Sequence, residues 1–173
     1  KILSREDTNV YGLASGWKFD LPWIETVTIT EGGQAEWGAR PAYLHFGSTG
    51  TMEIATKQND KEKKYEITGL ADYAYADVKL EDWEKQADGI SCRYLLRDKT
   101  GLRTYFNEDG VVVLQKDAHD NTITYTYTDH IYIKEITDSV GRVIRFHYEE
   151  GDDLKQLTSV TVEGAETPVL RRP

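Results

Sequence analysis

Cysteine and methionine are almost absent from this chain of 173 residues, which holds one of each, Cys92 and Met52. A single cysteine excludes an internal disulfide and any thiolate metal cluster. Proline is scarce, and no apolar run approaches the roughly 20 residues that a membrane-spanning helix needs. Positive charge is also short: 21 Lys+Arg stand against 30 Asp+Glu, for a net charge of −9. That balance lacks the basic footprint that nucleic acid or an anionic membrane surface requires. We therefore expect no nucleic-acid partner and no membrane insertion. The sequence opens at Lys1 without Met or a signal-like segment, and we expect it to be a piece of something longer. Its length still suits one domain that buries roughly 70% of its unfolded surface without staples.

What the chain does have is eleven Tyr, four Trp and runs of Thr beside branched residues. These side chains fit a half-buried pleated surface, so the expected fold is all-β. The second half repeats. Asp98-Lys-Thr-Gly101, Asp117-Ala-His-Asp-Asn121 and Asp138-Ser-Val-Gly141 each open a unit, with Gly101, Asn121 and Gly141 aligned at a spacing of 20. An aromatic strand follows each: Leu102 to Phe106, Thr122 to Thr128, and Arg142 to Tyr148. A second turn comes at Asn107-Glu-Asp109-Gly110, at Thr128-Asp129-His130, and at Glu149 to Asp153. Second strands then run over Val111–Leu114, Ile131–Ile136 and Gln156–Val162.

Turn chemistry supports this reading. An Asp at the first turn position accepts bonds from following N–H groups, and Gly or Asn later in the turn tolerates positive φ. Alternation then puts Ile123, Tyr125, Tyr127, Ile144, Phe146 and Tyr148 on one face. Those residues are expected to be more buried than Thr124, Thr126 and Arg145. Fixed-period units of this kind bury little alone and stack on their neighbours. The expected architecture is an antiparallel meander of two-strand units.

Residues 1–97 read as an aperiodic β region, 98–163 as three repeat units and 164–173 as a tail. Upstream strands are expected at Glu25–Thr30, Ala42–Phe46, Thr51–Thr56, Tyr65–Thr68, Asp77–Asp82 and Ile90–Arg97. Residues 57–64 form a charged hairpin loop, and Asp82 to Asp88 is the one stretch with a helical alternative. Trp17, Trp23 and Trp37 lie among Gly and Pro, as plugs at the end of a sheet would.

These features resemble the RHS/YD-repeat family of bacterial wall-associated and polymorphic-toxin proteins. Tyr125-Thr-Tyr127-Thr-Asp129 is similar to the family's tyrosine–aspartate signature. The recurring frame of Asp98 and Gly101, Tyr105, Asp109 and Gly110 fits it too, as do Asp117 and Asn121, and Asp138 and Gly141 with Phe146 and Tyr148. Gly12 to Trp17, with Gly16, and Phe19 to Ile24, with Pro22 and Trp23, resemble the Gly-Trp segment that precedes the first repeats. The resemblance implies a ribbon wound into a spiralling β-shell around a C-terminal toxin or effector, in a protein secreted or held at the cell surface. The partners it implies are the remaining repeats and that effector. Cut edges of such a ribbon would also favour strand-edge self-association.

No constellation in the sequence points to catalysis, and no cofactor or metal is expected. His45, His119, His130 and His147 form no HExxH or comparable ligand pair. Asp117, His119, Asp120 and Asn121 lack EF-hand spacing and read as an Asx-type turn. The carboxylates at 149, 150, 152 and 153 crowd one acidic loop instead of facing across a cleft. Ser15 lacks the nucleophile-elbow glycines, and Cys92 alternates with Ile90 and Tyr94 as buried filler. The other reading of the sequence is a carbohydrate-binding or adhesion module that stacks sugars on Trp23, Trp37, Trp83, Tyr73 and Tyr75.

Overall fold

The computed structural model describes residues 10–14, 17–31, 34–35, 37–47, 50–71, 77–150, 155–164 and 170–171. Every regular element among them is a strand. The first eight are β1 (Gly12–Ala14), β2 (Trp17–Lys18), β3 (Pro22–Val27), β4 (Thr30–Glu31), β5 (Gln34–Ala35), β6 (Arg40–Phe46), β7 (Gly50–Asn59) and β8 (Lys64–Leu70). Then come β9 (Val78–Ala87), β10 (Ile90–Asp98), β11 (Arg103–Phe106), β12 (Val112–Lys116) and β13 (Thr122–Thr128). The last four are β14 (Tyr132–Asp138), β15 (Val143–Glu149), β16 (Gln156–Val162) and β17 (Leu170–Arg171).

The fold is all-β and antiparallel. Strands β9 to β17 form one nine-stranded sheet in unbroken chain order, and β3-β6-β7-β8 form a second sheet of four. Such an order follows from short connections, which pair each strand with its predecessor. The β9–β10 link is a two-residue turn with Asp88 and Gly89 both at positive φ, the twist that suits a hairpin. Because β9 and β10 belong to the same sheet as the repeat units, the sheet runs across residue 98. The Asp82–Asp88 stretch forms no helix: it lies in β9 and its turn, with an irregularity at Glu84, whose φ is 45°.

From β13 to β16 the sheet has two chemically distinct faces. Register aligns Tyr125, Ile136, Ile144 and Val162 in one row, and Thr126, Glu135, Arg145 and Thr161 in the next. The first row's face meets the main core. There Tyr11, Ile24, Leu44 and Ile54 from the N-terminal half pack with Leu96, Phe106, Val112 and Ile133. Phe19 reaches across to Phe146 edge-on, at 5.2 Å between ring centroids. A smaller cluster of Ala87, Cys92, Leu95, Tyr105, Val113 and Leu114 lies within the first strands of the nine-stranded sheet.

Two expectations about burial need correction. Ile123 shares its strand face with Tyr125 but is 40% exposed. It sits at the turn end of β13, opposite Gln115 and Asp138, outside the core that covers Tyr125. Alternation fixes the side a residue faces, not how far the covering layer extends. In the third unit Ile144, Phe146 and Tyr148 are only half-buried, as Arg145 is. The Arg145 guanidinium lies over the sheet in ion pairs with Glu135 and Glu163, which shields its stem.

Candidate functional site

The residues singled out by the repeat pattern assemble into two kinds of joint. The first is a turn made three times on one rim of the sheet. In each copy the Asp N–H donates to the carbonyl four residues on: Asp98 to Leu102, Asp117 to Asn121 and Asp138 to Arg142, all at 3.1 Å. The Asp carbonyl accepts from the residue three on, which is Gly101, Asp120 or Gly141. Its Oδ1 accepts twice more, from Thr100 and Leu102, from His119 and Asn121, and from Val140 and Arg142. One short carboxylate thus holds the N–H groups that a tight turn would leave unpaired.

This geometry corrects the alignment of the second unit. Asp120, not Asn121, occupies the left-handed position of Gly101 and Gly141, with φ 63°. Asn121 stands one residue later and donates from its side chain to Asp117 Oδ2 at 2.8 Å. That bond, with the two N–H donors, holds the Asp117 carboxyl below its usual range. The Arg142 N–H leads the same effect at Asp138.

Asn107 builds the same turn on the opposite rim, with its Oδ1 accepting from Val111 N–H and its carbonyl from Gly110. Gly110 is demanded twice over. Its φ is 82°, and its carbonyl accepts from Ile24 N–H at 2.8 Å. A Cβ there would run into the Ile24 main-chain oxygen. Beside it Trp23 bridges to Val111, which ties the four-stranded sheet to the nine-stranded one.

The second joint lies between units. Each unit's second strand carries one extra residue, a β-bulge, at Val113, Lys134 and Thr158. The Tyr127 hydroxyl donates to the carbonyl of Val112, just before the first bulge. Tyr148, 21 residues further on, donates to Ile133, just before the second, at 2.9 Å. At the first bulge a third hydroxyl completes the joint. Tyr11, 1% exposed, accepts from Val112 N–H and donates to the Pro22 carbonyl, both at 2.8 Å. Burial pushes the hydroxyls of Tyr11, Tyr127 and Tyr148 far above the usual phenol range, and that of Tyr125 up to about 12.

Rim charges also cross between units. Asp109 meets His130 at 2.9 Å, Asp129 meets Lys155 at 3.0 Å, and Arg103 meets Asp120 at 2.5 Å. Exposed pairs of this kind add little stability individually. Tyr105 packs in the smaller cluster against Trp83, edge-on at 5.7 Å. Gly16 and the Trp17 side chain lie outside the described residues.

Two features escaped the sequence reading. Tyr11 is one. The other is His45, whose Nε2 meets Glu25 Oε2 and whose Nδ1 meets Thr51 Oγ1, each at 2.9 Å. Trp23 stacks on the imidazole at 4.0 Å. Carboxylate, imidazole and hydroxyl come from β3, β6 and β7, run from the buried Glu25 to the exposed Thr51, and lock three neighbouring strands. Only the sheet's register brings them together.

Of the aromatic rings named for sugar stacking, Trp23 is buried and Trp37 and Trp83 are half-buried. Lys63 lies over Trp37, and Lys85 and Arg97 lie over Trp83. Tyr73 and Tyr75 are outside the described residues. A cleft of about 730 Å³ between β8 and β9 is lined by ion pairs, Lys57 with Glu66 and Lys64 with Glu84 among them. Among the described residues no three His, Cys, Asp or Glu side chains converge as metal ligands. Compared with known proteins, the chain matches no family model, no curated protein and no solved structure.

Proposed function

We propose that this chain is a non-catalytic wall segment of an RHS/YD-repeat protein, secreted or displayed at a bacterial surface. In that role it supplies part of a β-shell that encloses or presents a C-terminal toxin or effector. The observation that carries the reading is the recurrence of one turn at Asp98, Asp117 and Asp138 together with one hydroxyl joint at Tyr127 and Tyr148. Units that bury little alone and are fastened to their neighbours are suited to building an extended wall.

The test is the sequence of the polypeptide on either side of residues 1–173. Further units of about 20 residues, followed by a tail unrelated to them, support the wall. A catalytic domain joined directly to this segment, with no further units, overturns it.

A further inference from the structure

Register sets Trp23, His45 and Thr51 in one cross-strand row of β3, β6 and β7. Glu25 stands two residues along β3 from Trp23, so its carboxylate lies on the same face. It meets His45 Nε2, and the other ring nitrogen, Nδ1, meets the Thr51 hydroxyl, each at 2.9 Å. The Trp23 ring lies flat on the imidazole, 9° from parallel. A ring held by a carboxylate at one nitrogen and by an indole on its face has a fixed orientation. In the neutral imidazole the nitrogen facing the carboxylate carries the proton, which leaves Nδ1 to accept from Thr51. Burial falls along the line. The side chains of Glu25 and His45 are 5% and 13% exposed, whereas Thr51 is at the surface.

The geometry points to Thr51 as an acyl-accepting nucleophile, with His45 as its general base and Glu25 as the positioning residue. The donor is an activated acyl group, an ester or a thioester. Thr51 Oγ1 attacks the carbonyl carbon while its proton passes to His45 Nδ1. The bond to the leaving oxygen or sulfur then breaks, and the leaving group takes that proton. The products are an ester on Thr51 and a free alcohol or thiol. The chain is thus the acceptor of the group and not a turnover enzyme, a property that a wall segment can carry but that does not depend on the wall reading.

The test is incubation of the protein with p-nitrophenyl acetate, then peptide mapping before and after hydroxylamine, which cleaves esters and spares lysine amides. The expected result is a hydroxylamine-sensitive acetyl group on Thr51. His45→Gln should slow its formation about 100-fold or more, the scale of general-base assistance. Thr51→Val, an exposed substitution of similar shape, should keep the strand content by circular dichroism and lose the mark. Because His45→Gln also removes the stack on Trp23, the imidazole nitrogen shifts of the native protein give a second reading that needs no substitution. They should show His45 protonated at Nε2. In Glu25→Gln that preference should weaken and acetylation should slow with it. Acetyl groups confined to amides, an equal rate in His45→Gln, or a neutral ring protonated at Nδ1 overturn the nucleophile. An unchanged rate in Glu25→Gln overturns the positioning role. None of these results touches the wall reading, which the flanking sequence decides.

Discussion

Tyr148 and Ile133 lie on different units, and the hydroxyl of one donates to the main-chain oxygen of the other at 2.9 Å, next to the bulge at Lys134. Tyr127 and Val112 stand in the same relation 21 residues earlier. A bulge disrupts the ladder locally, and in both places a tyrosine meets the carbonyl beside it. The tyrosines of the repeat therefore act as fasteners between units as well as core filler.

Removing the fasteners has a measurable cost. Tyr148→Phe should lower stability by about 1 kcal/mol and Tyr127→Phe by about 1–3 kcal/mol, because the Val112 carbonyl is fully buried. Chemical denaturation should show lower midpoints at an unchanged slope. Unchanged midpoints in both variants would mean that the hydroxyls hold nothing.

Glycines on the two rims should respond differently. Gly141 has positive φ and open space around it, so Gly141→Ala should cost about 1 kcal/mol. Gly110→Ala adds a collision with the Ile24 backbone and should cost about 3 kcal/mol or more. Equal losses would show that the strand contact is not made.

Acid should loosen the turns. The carboxyls of Asp117 and Asp138 are held below the usual range, and an unfolded Asp titrates near 3.9. Their contribution is thus present above about pH 4 and is lost as pH falls through the lower folded-state values. In the double variant Asp117→Asn, Asp138→Asn the Oδ1 acceptor remains, as it does at Asn107, but the charge is gone. Its unfolding midpoint should vary less between pH 4 and pH 2 than that of the parent. The same acid slope in both would contradict the assignment.

Alkali should act through the tyrosines in the opposite direction. Unfolded phenols titrate near 10, whereas Tyr125 is pushed up to about 12 and Tyr11, Tyr127 and Tyr148 lie higher. Burial of the neutral forms stabilises the fold fully below pH 10, and this is lost as pH rises through the folded-state values. Tyrosinate absorbance should therefore appear in two stages, the later one coinciding with loss of the sheet. A single transition near pH 10 with the sheet intact would place these rings on the surface.

Much of this was legible in the sequence, for local reasons. The strands Thr122–Thr128 and Gln156–Val162 fall where alternation and flanking turns put them. The Asp-led turns are a matter of a few consecutive residues. The joints were not legible. Tyr11 meets Val112 across 101 positions, and no period links them. Bulges were equally hidden, because one extra residue leaves the composition of a strand unchanged. The slip from Asn121 to Asp120 has a similar cause: both side chains tolerate positive φ, so composition alone could not choose between them.

The proposed wall role places this segment in a longer polypeptide, and limited proteolysis of that polypeptide tests the proposal most directly, by comparing the native form with the Gly110→Ala, Tyr148→Phe variant. The wall account predicts that the region following the repeats resists cleavage in the native protein and becomes susceptible when the joints are weakened. Cleavage of that region at the same rate in both would contradict it.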